Sequence, residues 1–154
     1  MKNRILTFAI LLLAWLATNS QLRAQQPAPA DSSQRNNEYQ VLMEKIRQDF
    51  AINPPAKEIE KALKTYNEAD GSFTDVDYAS IQRTNWPPLL HIDRLYDFAF
   101  AYTTPGNSYY GNEALFDKIV KGLEYWYDRN PWCHNWWYNQ IAEPQRLGIM
   151  LIQL

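Results

Sequence analysis

Proline sets the limits on what this chain can fold into. Asn53–Pro54–Pro55, Trp86–Pro87–Pro88, Thr104–Pro105–Gly106–Asn107 and Asn130–Pro131 cut it into segments. Proline stops a helix that reaches it and suits the first turn of one that starts there. Between the breaks, apolar residues recur every three or four positions, the period of a helix face. Tyr39, Leu42, Ile46 and Phe50 mark one face, and Ile59, Leu63 and Tyr66 a second. Leu89, Ile92, Tyr96, Ala99 and Tyr102 mark a third, and Leu115, Ile119, Leu123 and Trp126 a fourth. A fifth helix runs from about Ile141 or Pro144 through Leu147, Met150 and Leu151 to Leu154. Asn53 and Asn112 stand where N-caps are expected. Asp70–Gly71–Ser72 reads as a turn, and residues 73–85 as irregular. No segment alternates like a strand. The pattern predicts an all-α chain of helix hairpins.

The first 24 residues read differently. Lys2 and Arg4 precede an apolar run from Ile5 to Ala17, and Ala24 supplies a small residue for cleavage. That is the form of a secretory signal peptide, with an apolar run too short for a membrane span. The expectation is a secreted or periplasmic protein that leaves the membrane after cleavage. Residues 25–37, rich in Gln, Pro, Ala, Ser and Asn, read as a flexible lead-in to a domain at 38–154. Removing residues 1–24 takes away Lys2, Arg4 and Arg23 and no acid, leaving 12 basic against 17 acidic residues, a net −5. That balance argues against nucleic acid as a partner. Twenty of the remaining 130 residues are Phe, Trp or Tyr, which excludes disorder for most of the chain.

Leu147–Leu154 is apolar nearly all round, and a helix of that kind is expected to be buried. The expectation is that further chain covers it, which would make this the N-terminal piece of a longer protein. Self-association through that helix is the alternative.

The densest chemistry lies in Tyr125–Asn139, where seven residues are aromatic. Trp126 and Tyr127 fall on a helix, where core packing explains them. Trp132, Trp136, Trp137 and Tyr138 follow a helix-ending proline and lie in or next to a loop, and loops run over the surface. Two uses are open for the Trp136–Trp137 pair. It forms an exposed platform on which sugar rings stack while flanking amides such as Asn135 bond hydroxyls, or it plugs the gap between hairpins. Arg129 and Arg146 are cations that could offset repulsion from an acidic ligand.

Other titratable groups give less. His91, in the first turn of the third helix beside Asp93 and Arg94, reads as structural, and His134 is a candidate for substrate contact. Cys133 is the only cysteine, so no intramolecular disulfide or cysteine metal cluster forms. Asp70, Asp75 and Asp77 alternate like cation ligands but lack the calcium-loop spacing. No phosphate loop, nucleophile elbow or metal-ligand helix is present, so no catalytic residue, metal site or cofactor is assigned.

The stretch from Asn135-Trp136-Trp137-Tyr138-Asn139-Gln140-Ile141-Ala142-Glu143-Pro144 to Leu154 resembles the N-terminal α-helical domain of polysaccharide lyase family 8. Asp70-Gly71-Ser72-Phe73, Asp75-Val76, Asn85-Trp86 with His91, Tyr109-Tyr110-Gly111 with Phe116, and Tyr125-Trp126-Tyr127-Asp128 extend the likeness in order over residues 38–154. The family includes chondroitin AC, hyaluronate and xanthan lyases, and the chondroitin AC branch is the most similar. The resemblance implies an incomplete (α/α) toroid from enzymes that cleave uronic-acid polymers by β-elimination. It implies that the Asn, His, Tyr and Arg doing the chemistry lie beyond Leu154, so that no residue here inherits a catalytic role. It implies that Trp136 and Trp137, with Asn135, line a cleft that binds an acidic polysaccharide such as chondroitin or hyaluronan. The parent's C-terminal part would then be a partner of this chain. Gln140 departs from the family's usual Glu, and loss of a buried carboxylate there is expected to alter the local charge network. Two other readings compete: a stand-alone glycan-binding helical module, and a protein-binding repeat scaffold, for which no fixed-period repeat is found.

Overall fold

The computed structural model describes residues 32–154. Residues 1–24, read above as a signal peptide, and the expected lead-in before residue 32 lie outside the described residues. Helix α1 spans Ser32–Asp49, α2 Ala56–Leu63, α3 Leu89–Thr103, α4 Glu113–Arg129 and α5 Glu143–Gln153. A π-helical turn, Tyr138–Ala142, runs directly into α5. Among the described residues there is no strand, only an isolated antiparallel bridge between Tyr66 and Phe73. The all-α expectation holds.

The chain divides into units 1–41 and 42–154, with the boundary inside α1. Of the first unit, Ser32–Val41 is described and is helical. This corrects the lead-in boundary: residues 32–37 are helix. Arg, Gln and Glu along α1 favour helix, and Tyr39, Leu42 and Phe50 of its apolar face are exposed. The second unit carries the core.

That core is organised around α3, which packs against α2, α4 and α5. The spacing of apolar residues predicts one buried stripe on α3, but Leu89, His91, Ile92, Leu95, Phe98, Ala99, Phe100 and Ala101 are all buried. Neighbours on several sides leave α3 little exposed surface. Ile59 and Ala62 of α2 and Leu115 and Ile119 of α4 close on it, and Met150 of α5 completes the main cluster. A second cluster joins Trp86, Leu89, Ile92, Trp126, Cys133 and Ala142.

The helix starts follow local chemistry. Asn112 caps α4 as expected, its Oδ1 accepting the Leu115 N–H at 3.0 Å. Asn53 does not cap α2, because the two prolines move the start downstream and Pro55 takes the cap position. The Asn53 Oδ1 instead accepts from Asn107 Nδ2 at 2.7 Å. At the far end of the unit, Arg47 Nε donates to the Ile152 carbonyl at 2.8 Å, tying the close of α1 to α5. Ile149 and Met150 of the apolar α5 are buried, whereas Leu151 and Leu154 are exposed.

The irregular segment after α2 is held by a glycine. Gly71 adopts φ +83°, and a Cβ there would meet the Lys121 carbonyl oxygen at 2.5 Å. Asp70 Oδ1 accepts from the Ser72 N–H and hydroxyl at 2.9 and 2.7 Å, closing the turn. Gly106 has a similar φ of +86° but nothing within 4 Å of the added Cβ. Gly106→Ala is therefore expected to cost only left-handed strain, about 1–2 kcal/mol. Gly71→Ala carries the same strain plus a backbone clash, so its denaturant midpoint should fall clearly further. Equal midpoints for the two variants would contradict this packing.

Candidate functional site

Trp136 and Trp137 form the first turn of the helical run that continues through the π turn into α5. They were expected in or next to a loop; the loop ends one residue earlier, at Asn135. Trp136 is 61% exposed and Trp137 42%, whereas Trp86 and Trp126 are buried. The pair therefore does not plug a gap in the described core.

A web of hydrogen bonds holds this turn. Asn135 Oδ1 accepts the Trp137 N–H at 3.1 Å, and the Asn135 carbonyl accepts the Tyr138 N–H at 3.1 Å. Asn135 Nδ2 donates to the Arg83 carbonyl at 3.0 Å. Asn135 thus spends one N–H and one Oδ1 lone pair on positioning the helix start and keeps one of each for an outside partner. Asn139 grips the backbone of Cys133 twice: its Oδ1 accepts the Cys133 N–H at 3.0 Å and its Nδ2 donates to the Cys133 carbonyl at 2.7 Å. Trp136 and Trp137 project from the loop so closed. The Trp137 ring meets Tyr138 edge-on at 5.2 Å, and Tyr138 leans on Trp86 at 5.8 Å. Sequence reasoning missed Asn139 and Tyr138 as supports, because their partners lie across a turn or far along the chain.

The other candidates separate from this platform. Cys133 is buried and free. His134 is exposed beside it. Asp70, Asp75 and Asp77 do not converge: Asp70 holds Ser72, Asp75 pairs with both guanidinium nitrogens of Arg94 at 2.6 Å, and Asp77 accepts from the Ala79 N–H. Among the described residues no group of three His, Cys, Asp or Glu is placed to hold a metal ion.

His91 is fully buried, and its partners fix its tautomer. Its Nε2 lies 2.9 Å from the Gly122 carbonyl, which can only accept, so Nε2 carries the hydrogen. Nδ1 is then an acceptor, and the Tyr78 hydroxyl donates to it at 2.7 Å. That hydroxyl accepts in turn from the Phe73 N–H at 2.9 Å. The ring lies nearly parallel to those of Tyr125 and Trp126, with centroids 5.6 and 5.4 Å away. Burial pushes its pKa down from 6.5 to about 4. A neutral, fully bonded imidazole is a structural member and has no free nitrogen for a substrate.

With the geometry in place, comparison with known proteins is decisive. Residues 30–154 match the profile of polysaccharide lyase family 8, N-terminal alpha-helical domain. The chain belongs to this family. Chondroitinase-AC of Pedobacter heparinus is 38% identical over 123 residues, 78% of this chain and 17% of that protein. Xanthan lyase of a Bacillus species is 27% identical over 121 residues, 68% of this chain and 13% of that protein. A solved chondroitinase AC lyase structure, from work on enzyme–oligosaccharide complexes, superposes with a TM-score of 0.68 at 40% identity. It covers 74% of this chain and 17% of that one. The chain spans about one-sixth or less of the length of these relatives.

Two expectations about this segment are corrected by the structure. Gln140 is exposed, so no buried carboxylate is lost there. The half-buried carboxylate of the segment is Glu143, which accepts from Trp126 Nε1 at 2.8 Å and whose pKa is raised by burial. Arg146 is not free to meet an acidic ligand. It is paired with Asp93 and donates to the Ala142 carbonyl, whereas Arg129 is exposed.

His91 and Asp97 titrate with opposite effects on stability. Unfolded His91 takes up a proton near pH 6.5 and the folded form only near 4, so its contribution falls as pH drops through that window. Burial, then the charges of Asp93 and Glu58, raise Asp97 from 3.8 to about 6, so its ionisation removes stability as pH rises through 3.8–6. Asp75, held at about 2 chiefly by its hydrogen bond from Arg94, titrates below this range. Asp97→Asn is expected to be more stable than the parent at pH 7, by about 1 kcal/mol after allowance for partial solvent access. It should lose that advantage by pH 4, giving a steeper acid slope that exposes His91. Melting temperatures from pH 4 to 7 for both proteins check this.

Proposed function

We propose that this chain is the N-terminal portion of a secreted polysaccharide lyase that acts by β-elimination on uronic-acid polymers of the chondroitin or hyaluronan type. Its own contribution is polymer binding through Trp136 and Trp137, with Asn135 as the capping residue that aims them. The observation that carries the reading is the exposure of two adjacent indoles on a rigidly capped helix start. Leaving so much aromatic surface in water forgoes the stabilisation of burial, and large exposed apolar surface marks an interaction site. Sugar rings present apolar C–H faces that match an indole, and stacking is neutral, so it suits an acidic protein meeting an acidic polymer. Membership of the family and similarity to Chondroitinase-AC support the substrate class.

No residue of this chain is assigned to the elimination chemistry. A general base must reach its substrate's proton, and the buried His91 cannot. The reading also accommodates a chain that works alone as a glycan-binding module. The exposed platform would serve both, and the protein as its gene expresses it separates them: release of unsaturated uronate from chondroitin supports the lyase portion, and binding without release supports the module.

Trp136→Ala and Trp137→Ala should each weaken binding of a chondroitin oligosaccharide by an interaction of about 1–3 kcal/mol, taking stacking of bases on aromatics as a guide. Their melting temperatures should stay close to the parent's, unlike a core Trp→Ala change, which costs about 3–5 kcal/mol. Titration calorimetry beside melting curves decides it. Strongly lowered melting with unchanged affinity per folded molecule would show the pair to be structural.

A further inference from the structure

Neutral stacking does not distinguish an acidic polymer from an uncharged one; a cation does, and the domain has spent most of its cations elsewhere. Arg94 is paired with Asp75, Arg146 with Asp93, Lys118 with Glu68 and Lys45 with Asp49. Lys121 donates to the Glu68 carbonyl, and Arg47 is turned to the Ile152 carbonyl. Arg129 borders a cavity of about 350 Å³ that it shares with Lys121 and with three carboxylates, Asp70, Glu124 and Asp128. None of these lies on the platform.

Arg83 is different. It sits in the strap of residues 80–86, which is laced along the platform. Asn135 Nδ2 donates to its carbonyl at 3.0 Å, and the Cys133 thiol donates to the neighbouring Gln82 carbonyl at 3.4 Å. The Trp86 N–H reaches the Tyr138 hydroxyl at 3.4 Å, and Trp86 Nε1 donates to the Ser80 carbonyl at 3.2 Å, closing the strap on itself. The backbone of Arg83 is therefore fixed beside the amide that caps Trp137. Its residue is exposed, and among the described residues it is in no ion pair. A guanidinium in that place has the fork geometry that reads a carboxylate or a sulfate with two hydrogen bonds.

Building on the platform reading, we propose that Arg83 is a specificity-determining residue: it binds the anionic group of a polymer whose ring faces stack on Trp136 and Trp137. The platform alone holds sugars irrespective of charge, and Arg83 makes the surface select for acidic ones.

The test titrates the purified chain with a chondroitin sulfate oligosaccharide and with a neutral chitin oligosaccharide over a range of salt. Arg83→Gln is expected to weaken chondroitin binding about 10-fold at low salt, the size of one charge-assisted contact. It should also make the log–log salt dependence shallower by somewhat less than one unit, as expected when one ionic contact is removed. Binding of the neutral oligosaccharide should not change, and Arg83→Lys should recover much of the salt dependence. An equal loss for both ligands would overturn the proposal, because it would mean only that the strap had moved. Unchanged chondroitin affinity in Arg83→Gln, with weakened binding in Trp136→Ala, would overturn the role of Arg83 and leave the platform standing. No saturable chondroitin binding by the parent chain, or no effect of either Trp variant, would overturn the platform and Arg83 with it.

Discussion

The structure turns on one buried imidazole. His91 leaves water completely, which is costly for a polar ring unless every nitrogen finds a partner. It finds them on two different pieces of chain: the Gly122 carbonyl of α4 and the Tyr78 hydroxyl of the irregular segment. Tyr78 passes the constraint on to the Phe73 backbone. One side chain of α3 therefore holds down a stretch that has no secondary structure of its own. The same ring stacks on Trp126, whose other contacts are Trp86 and Glu143. Through Trp86 the constraint reaches Tyr138 and the base of the tryptophan platform.

This arrangement separates two uses of tryptophan. Trp86 and Trp126 are buried where their N–H groups have acceptors, at Ser80 and Glu143. Trp136 and Trp137 stay in water on a helix start that is fixed from three directions, by Asn135, Asn139 and Tyr138. A binding surface of exposed aromatic rings gains affinity if it is rigid beforehand, because less freedom is lost on association. The amides of Asn135 and Asn139 accordingly bond the backbone around the pair and hold it in place.

The sequence carried the helical architecture, because proline breaks and apolar period are local signals. The Asn112 cap was readable since its target lies three residues on, and the structural role of His91 followed from its place on an apolar helix. Asn53 misled because a good capping residue upstream of two prolines loses its position to the second. The start of α5 was readable because Pro144 opens a helix, but the helical residues from Trp136 that precede that proline gave no such signal. Here the proline follows a π turn, whose wider winding eases the clash a proline ring makes with the preceding turn. Which side chains meet across fifty residues, such as Trp86 with Tyr138 or Asn135 with Arg83, leaves no periodic trace. The tryptophan pair stood out by composition, but its supports did not.

The π turn has a consequence for how this surface can vary over evolution. Each residue of an α-helix advances the chain by about 100° around the axis, so an added or lost residue swings everything before it to another side. The turn at Tyr138–Ala142 is such a register change, lying between the two tryptophans and the buried Ile149 and Met150. Deleting one residue there would keep every chemical group of the platform while rotating the pair by roughly a quarter turn relative to the core that α5 packs on. Side-chain replacement can be absorbed one contact at a time, but a change of length at this point cannot. Relatives that keep the Trp-Trp pair should therefore vary in letters around it and hold constant the spacing from it to the buried residues of α5.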